Sequence, residues 1–337
     1  MKAVIFAKRH QLDVVELELP PVGPDDVRIK VDYVGICGSD LHKSELASVD
    51  PGYVMGHEFC GTVDALGSNV TGWKPGDRAV ILPMVACGGC WGCKLGKPEL
   101  CETGLLEGPG IGGRMAGGYA EYVSIPSGML RRLPESVKME HAVLVEPLSV
   151  GLHGVQRSRA VPTDAAMVLG GGPIGTFTAI GLRARGFQSI LVVEANESRR
   201  KSVASLGFET TAPDGLEAAV KSTFGTQGPL MAYDCTGHPS GAPLALSVLK
   251  PGGTLVIIGV PRELVPVNLQ RLLIDEFTIT GSVGYDDRDY DEAIDHIANG
   301  RVPCDQITTF ARLEEAQHWF EVLLSRQSTE IKVLLKP

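Results

Sequence analysis

Residues 35–58 gather side chains that can do chemistry: a thiol at Cys37, imidazoles at His42 and His57, and carboxylates at Asp40, Glu45 and Glu58. A soft thiolate, a borderline imidazole and a carboxylate suit Zn²⁺, and three protein ligands leave a fourth position open for substrate or water. Either residue type alone is more often a buried thiol or a hydrogen-bonded core imidazole. Here His57 and Glu58 lie between Gly56 and Gly61, where bulky core packing is not expected. Four further thiols, Cys87, Cys90, Cys93 and Cys101, occupy the run CGGCWGCKLGKPELC, whose glycines let the backbone wrap. Four sulfurs with no open position describe a structural Zn²⁺ site that holds a loop together. An iron–sulfur cluster competes for such a run. However, Cys101 is followed by Glu102 where that pattern wants Pro, and there is no second cysteine cluster, so zinc is preferred.

A second chemistry is written at GGGPIG. A strand over residues 165–169 runs into Gly170, Gly172, Pro173, Ile174 and Gly175, followed by a helix over 176–185. A second strand over 189–193 ends at Glu194. In a chain with 41 glycines a G-x-G-x-x-G alone would mean little; strand before, helix after and the distal acid make it a dinucleotide fingerprint. Pyrophosphate would sit on the helix N-terminus and ribose hydroxyls on the carboxylate. Glu194 would repel a 2′-phosphate, so NAD is expected over NADP. Arg199 and Arg200 keep NADP as the lesser alternative, since an Arg nearby can receive that phosphate.

These residues need elements to position them. Strict apolar–charged alternation over 27–33 predicts a half-buried strand, and further short strands over 78–80 and 120–125 predict a β domain to about residue 150. Beyond it, strands over 230–234, 254–259 and 277–282 alternate with helices near 198–206, 216–224 and 242–249, which predicts a doubly wound parallel sheet. The tail predicts helices over 290–299 and 313–325 and a last strand over 331–335. With 337 residues two domains are expected. A net charge of −9 argues against a nucleic-acid partner. No apolar run approaches the ~20 residues of a membrane-spanning helix, and the first residues lack a secretory apolar segment. Clustered cysteines then favour a reducing, cytoplasmic setting.

GICGSDLH, GHE, the four-cysteine loop and GGGPIG, in this order, resemble the zinc-dependent medium-chain alcohol dehydrogenases over nearly the whole chain. The run VEPLSVGLH at 145–153 looks most like the polyol (sorbitol), butanediol and threonine dehydrogenase branch. The resemblance implies a GroES-like catalytic domain (1–149 and 284–337) around a Rossmann domain (150–283). It implies catalytic zinc on Cys37 and His57, with Glu58 or Glu146 in the third place, and structural zinc on Cys87, Cys90, Cys93 and Cys101. It further implies that Asp40 orients His57, that Ser39 takes the substrate proton, and that His42 passes it outward. His153 reads as a structural histidine. The implied reaction is hydride transfer between a secondary alcohol or polyol and NAD, in a homodimer or homotetramer. A zinc-free quinone or enone reductase of the same superfamily, or a non-catalytic NAD- and zinc-binding protein, are the alternatives. Substrate choice is expected from residues 44–53 and 105–118, where Arg114 is either a carboxylate or phosphate contact or a surface cation.

Overall fold

The computed structural model describes residues 1–325 and 327–337, the side chains of Leu105 and Leu106 excepted. The chain groups into two units: Met1–Glu146 with Ile297–Asn299 and Ile307–Pro337, and Pro147–His296 with Gly300–Gln306.

The first unit is built on a seven-stranded sheet. Its path runs Thr308–Arg312, Lys332–Lys336, Asp26–Gly35, Glu58–Leu66, Arg78–Ile81, Leu130–Arg132, with Tyr122–Pro126 also paired on Asp26–Gly35. The alternation read in 27–33 buries Val27, Ile29 and Val31 in the core. Register shifts on either side of Ile29–Val31 bend this strand against Glu58–Leu66, which bulges do by breaking the ladder locally. Gly61 is required at this pairing because a Cβ there would stand 2.2 Å from the Lys30 carbonyl oxygen. The pairing has a functional consequence. Gly35 lies opposite Glu58, so the exit of one strand and the start of the next bring Cys37, His57 and Glu58 together. On the other side Leu334 pairs with Gly35, which draws the last strand, and Lys332 with it, to the same end of the sheet.

The second unit carries a six-stranded sheet in the order Glu209–Thr211, Ile190–Val193, Ala166–Leu169, Met231–Asp234, Thr254–Ile257, Thr278–Gly281. Every adjacent pair is parallel. The strand order reverses at Ala166–Leu169, the point where doubly wound sheets take a dinucleotide. Ala166–Leu169, Ile190–Val193 and Met231–Asp234 are buried throughout, as parallel strands covered on both faces must be.

Several expectations need correction. The β domain is not purely β: residues Gly38–Leu46 form a helix, and the helix Val145–Ser158 starts inside it. Among the strands not anticipated are Glu58–Leu66, Leu130–Arg132, Glu209–Thr211 and Thr308–Arg312. Beside the domain limits expected at 149/150 and 283/284, grouping by contacts divides the chain at 146/147 and at 306/307, apart from the short Ile297–Asn299 piece. The helix Asp287–Ala298 accounts for the second difference. Its Asp289 bonds His153 at 2.7 Å and its Glu292 takes both Arg185 bonds at 2.7 Å, ties that hold it to the second unit. Among the described residues no helix is long and apolar enough to cross a membrane.

Candidate active site

Cys37 stands at the N-cap of the helix Gly38–Leu46 in extended conformation. Asp40, at the third helical position, folds back so that its Oδ2 accepts the Cys37 N–H at 3.2 Å, the arrangement of a capping-box acid. Asp40 is fully buried. The same oxygen accepts the Tyr119 hydroxyl at 2.8 Å, while Oδ1 lies 3.5 Å from His57 Nδ1. Burial pushes the Asp40 carboxyl up, but His57, Lys43 and the Tyr119 hydroxyl together hold it below its ordinary value. Burial pushes His57 down, yet the Cys37 and Asp40 charges beside it raise it well above its ordinary value.

Cys37, His57 and Glu58 each offer one ligand atom, and these atoms lie within 4.8 Å of one another. Asp40 Oδ1 and His57 Nδ1 are buried and face each other at 3.5 Å without a formed hydrogen bond, whereas buried Glu58 Oε2 is ion-paired with the Lys332 ammonium. A buried polar atom without a hydrogen bond costs about 1–3 kcal/mol. A cation held by Cys37, His57 and Glu58 would place positive charge beside the Glu58 carboxylate, and Asp40 would orient the His57 imidazole for it. The sulfur, nitrogen and oxygen donors fit Zn²⁺. Glu146, buried in the first turn of the helix Val145–Ser158, is outside this group of atoms. Ser39 and His42 stand three positions apart on the helix Gly38–Leu46, and both are exposed, a spacing that makes side chains neighbours on a helix.

Two participants escaped the sequence reading. Tyr119 is one. Lys332 is the other, a buried lysine whose ammonium donates to the Ile36 carbonyl at 3.0 Å and is ion-paired with Glu58. Burial lowers its affinity for the proton, but Glu58, Cys37 and Glu146 more than offset this, so it stays charged. A signal existed in IKVLL, where a lysine interrupts an apolar terminal strand.

The four loop cysteines also converge, with ligand atoms within 4.8 Å of one another. Cys101 Sγ accepts the Cys87 N–H at 3.3 Å, and Cys87 Sγ accepts the Cys90 N–H at 3.3 Å. The Cys87 and Thr103 backbone donors bring the Cys101 thiol down to about 5, whereas desolvation and its thiol neighbours push Cys93 up to about 12. Backbone N–H groups aimed at sulfur favour thiolates, the form that binds metal.

In the second unit, Gly170 has φ +94°, and a Cβ on Gly175 would stand 1.8 Å from the Gly170 carbonyl oxygen. The turn therefore closes only with glycine at both places. Pro173 and Ile174 open the helix Pro173–Ala184 with Gly172 as its N-cap, the terminus where an anion is held. Glu194 is buried at the end of Ile190–Val193, its two oxygens accepting the N–H of Gly171 and of Asn196, each at 2.7 Å. Arg199 is ion-paired to it at 3.5 Å, and Arg200 donates to the Glu194 carbonyl at 2.7 Å. His153 is buried against Asp289. Arg114 is exposed and ion-paired with Glu107. Cys60 is buried with its thiol on the Met139 carbonyl at 3.0 Å.

Residues 23–135 match the alcohol dehydrogenase GroES-like domain family, and residues 173–299 match the zinc-binding dehydrogenase family. The chain is 30% identical to the sorbitol dehydrogenase of Bacillus subtilis, covering 100% of this chain and 97% of that protein. Among solved structures it is similar to 2R,3R-butanediol dehydrogenase from Bacillus subtilis, with a TM-score of 0.90 and 29% identity over 100% of this chain and 99% of the other. A structure described as a short chain alcohol dehydrogenase from Escherichia coli CFT073, complexed with the cofactor NADH, gives a TM-score of 0.90 at 27% identity over 100% and 99%. With sheet order, glycine turn and clustered ligands all of one pattern, the chain belongs to the zinc-binding alcohol dehydrogenase family and is an oxidoreductase.

Proposed function

We propose that the protein is a zinc- and NAD-dependent dehydrogenase interconverting a secondary hydroxyl of a polyol or vicinal diol with the ketone. The observation that carries this reading is the Cys37, His57 and Glu58 group, its ligand atoms within 4.8 Å of one another and its imidazole and carboxylate buried. Cys37, His57 and Glu58 would hold the catalytic zinc. Such an ion lowers the pKa of a bound hydroxyl and polarises a carbonyl. Asp40 keeps the His57 ring oriented. Ser39 takes the hydroxyl proton and His42, three residues on, passes it outward. Gly170, Gly172, Ile174 and Gly175 would receive the pyrophosphate, and Glu194 the adenosine ribose hydroxyls, of the cofactor that accepts the hydride. The Glu194 charge disfavours a 2′-phosphate, and Arg199 is already engaged with that carboxylate. The NADH-bound E. coli relative and a Sinorhizobium meliloti neighbour bound to NADP support a nicotinamide cofactor, and the choice of NAD rests on Glu194. The relatives acting on sorbitol and on butanediol support the substrate class. Cys87, Cys90, Cys93 and Cys101 would hold a second, structural zinc.

A homodimer or homotetramer in the cytoplasm completes the reading; exposed Leu264, Leu269, Leu273 and Ile274 supply an apolar surface for self-association. The test is NADH absorbance with zinc-loaded enzyme against sorbitol, xylitol, 2,3-butanediol and threonine, with and without chelator, NADP⁺ beside NAD⁺. Chelator-sensitive reduction of NAD⁺ by a polyol or diol is expected. Turnover that survives removal of zinc, or reduction of NADP⁺ alone, would overturn it.

A further inference from the structure

Tyr119 lies 79 residues from Asp40 in sequence, yet its hydroxyl is 2.8 Å from Asp40 Oδ2 in a buried contact. The ring is not free to choose this position. Its backbone N–H donates to the Met55 carbonyl at 3.0 Å, its carbonyl accepts the Val4 N–H at 2.7 Å, and Gly118 N–H donates to the Gly56 carbonyl at 2.7 Å. The segment is thereby laced to the residues just before His57. Phe320 packs edge-on against the ring, with centroids 6.1 Å apart at 78°. On the opposite side Gly56 has φ +92°, and a Cβ there would meet the Tyr119 ring at 2.6 Å. Glycine at 56 thus serves the ring as well as the turn.

The two oxygens of Asp40 divide their work. Oδ2 is saturated by two donors, the Cys37 N–H and the Tyr119 hydroxyl. Oδ1 accepts no hydrogen bond; it faces His57 Nδ1 at 3.5 Å, with the Lys43 ammonium 3.9 Å away. A carboxylate pinned by one oxygen can present the other in only one orientation, and a phenol inside apolar packing is a rigid pin.

We propose that Tyr119 is a positioning residue for the metal centre, acting through Asp40 on His57. The phenol hydroxyl fixes the carboxylate rotation; the carboxylate fixes the imidazole tautomer and tilt; the imidazole then meets the metal without reorganising. The inference rests on the reading that Cys37, His57 and Glu58 hold zinc. Tyr119 itself touches neither metal nor substrate in this scheme. Groups that orient a liganding imidazole typically change metal affinity 10–100-fold when removed.

The experiment is release of zinc from the holoenzyme to a chromogenic chelator, with the four-cysteine zinc as internal reference. Wild type, Tyr119→Phe, Asp40→Asn and the double variant are compared. Wild type should release two ions in separable phases. Tyr119→Phe should speed the Cys37-site phase about tenfold and leave the other phase unchanged. In the Asp40→Asn background the same substitution should have no further effect. Cobalt loaded in place of the labile zinc should show altered d–d absorption in Tyr119→Phe, a signature that loosened ring packing elsewhere would not produce. Wild-type release by Tyr119→Phe would overturn the proposal, as would an equal effect of the substitution in both backgrounds. A wild-type protein holding only the four-cysteine ion would instead overturn the metal reading of Cys37 and His57, and the proposal with it.

Discussion

Glu58 serves two masters at the level of single residues, sharing its carboxylate between the Cys37–His57 group and the Lys332 ammonium. Glu146 adds its charge at the lysine and is not among the clustered ligand atoms. Glu58→Gln should therefore lower zinc retention at this site by at least tenfold in a chelator competition, the size of effect seen when a support of a metal site is lost, whereas Glu146→Gln should retain most of it. The reverse order would assign the third ligand to Glu146. In the second unit Glu194 accepts two backbone N–H bonds, and in the proposed function it would receive the cofactor ribose. Replacing it by serine should raise KM for NAD⁺ about tenfold, the worth of a charge-assisted hydrogen bond, and narrow the gap to NADP⁺. Unchanged discrimination would remove Glu194 from cofactor choice. Most residues proposed for the sites were legible because their partners are close in sequence or repeat a known spacing. Tyr119 and Lys332 were not, since their contacts with residues 79 and 296 positions away depend on strand register that no local pattern encodes.

Strand pairing and helix starts decide where these residues stand. Periodicity made the central strands legible: the alternation in Asp26–Gly35 and the apolar runs of the parallel sheet leave little choice. The helix Gly38–Leu46 was hidden because its low apolar content gives no stripe to read, and Thr308–Arg312 because its exposed residues mimic a loop. The glycine turn gives a sharp contrast. A Cβ at Gly175 collides with the Gly170 carbonyl, whereas at Gly172 it meets nothing within 4 Å. Gly175→Ala should cost about 1–3 kcal/mol of stability through forced displacement of the turn. Gly172→Ala should leave thermal unfolding unchanged but weaken NADH binding, measured by fluorescence titration, because the open space is where a pyrophosphate approaches. Equal behaviour of the two variants would contradict this account of the turn. The last strand offers a similar test. Lys332→Met leaves the Glu58 charge buried and unmatched, which costs about 3–5 kcal/mol when one partner of a buried pair is removed. Zinc restores a positive neighbour, so the variant should unfold at markedly lower temperature only in its chelated form. An equal loss with zinc present would mean that Glu58 does not face the metal.

Across the whole chain, two units and their order were legible in the sequence, whereas the ties that group most of Asp287–Ala298 with the second unit are long-range and leave no local pattern. One of these ties sets an acid limit on stability. Partial burial pushes Glu292 up, but bonds from Arg185 and His296 outweigh it and bring the carboxyl down to about 2. A carboxylate with a depressed folded value stabilises above its unfolded value of 4.5 and loses that contribution as pH falls toward 2. Solvent screening at this half-exposed site limits the gain to about 1 kcal/mol. Glu292→Gln should thus be less stable by about 1 kcal/mol at neutral pH, with the difference from wild type vanishing in acid denaturation toward pH 2. A constant difference across that window would contradict the assignment. In the proposed function one of two zinc ions would sit at Cys37, His57 and Glu58 and be needed for hydride transfer. Zinc per chain can be counted in wild type and Cys37→Ser, with NAD⁺ reduction followed on the same samples. Two ions should fall to one, with the fold intact and activity down by at least about a thousandfold, as expected when a metal's charge stabilisation is lost. Full activity in Cys37→Ser, or two ions retained, would contradict it.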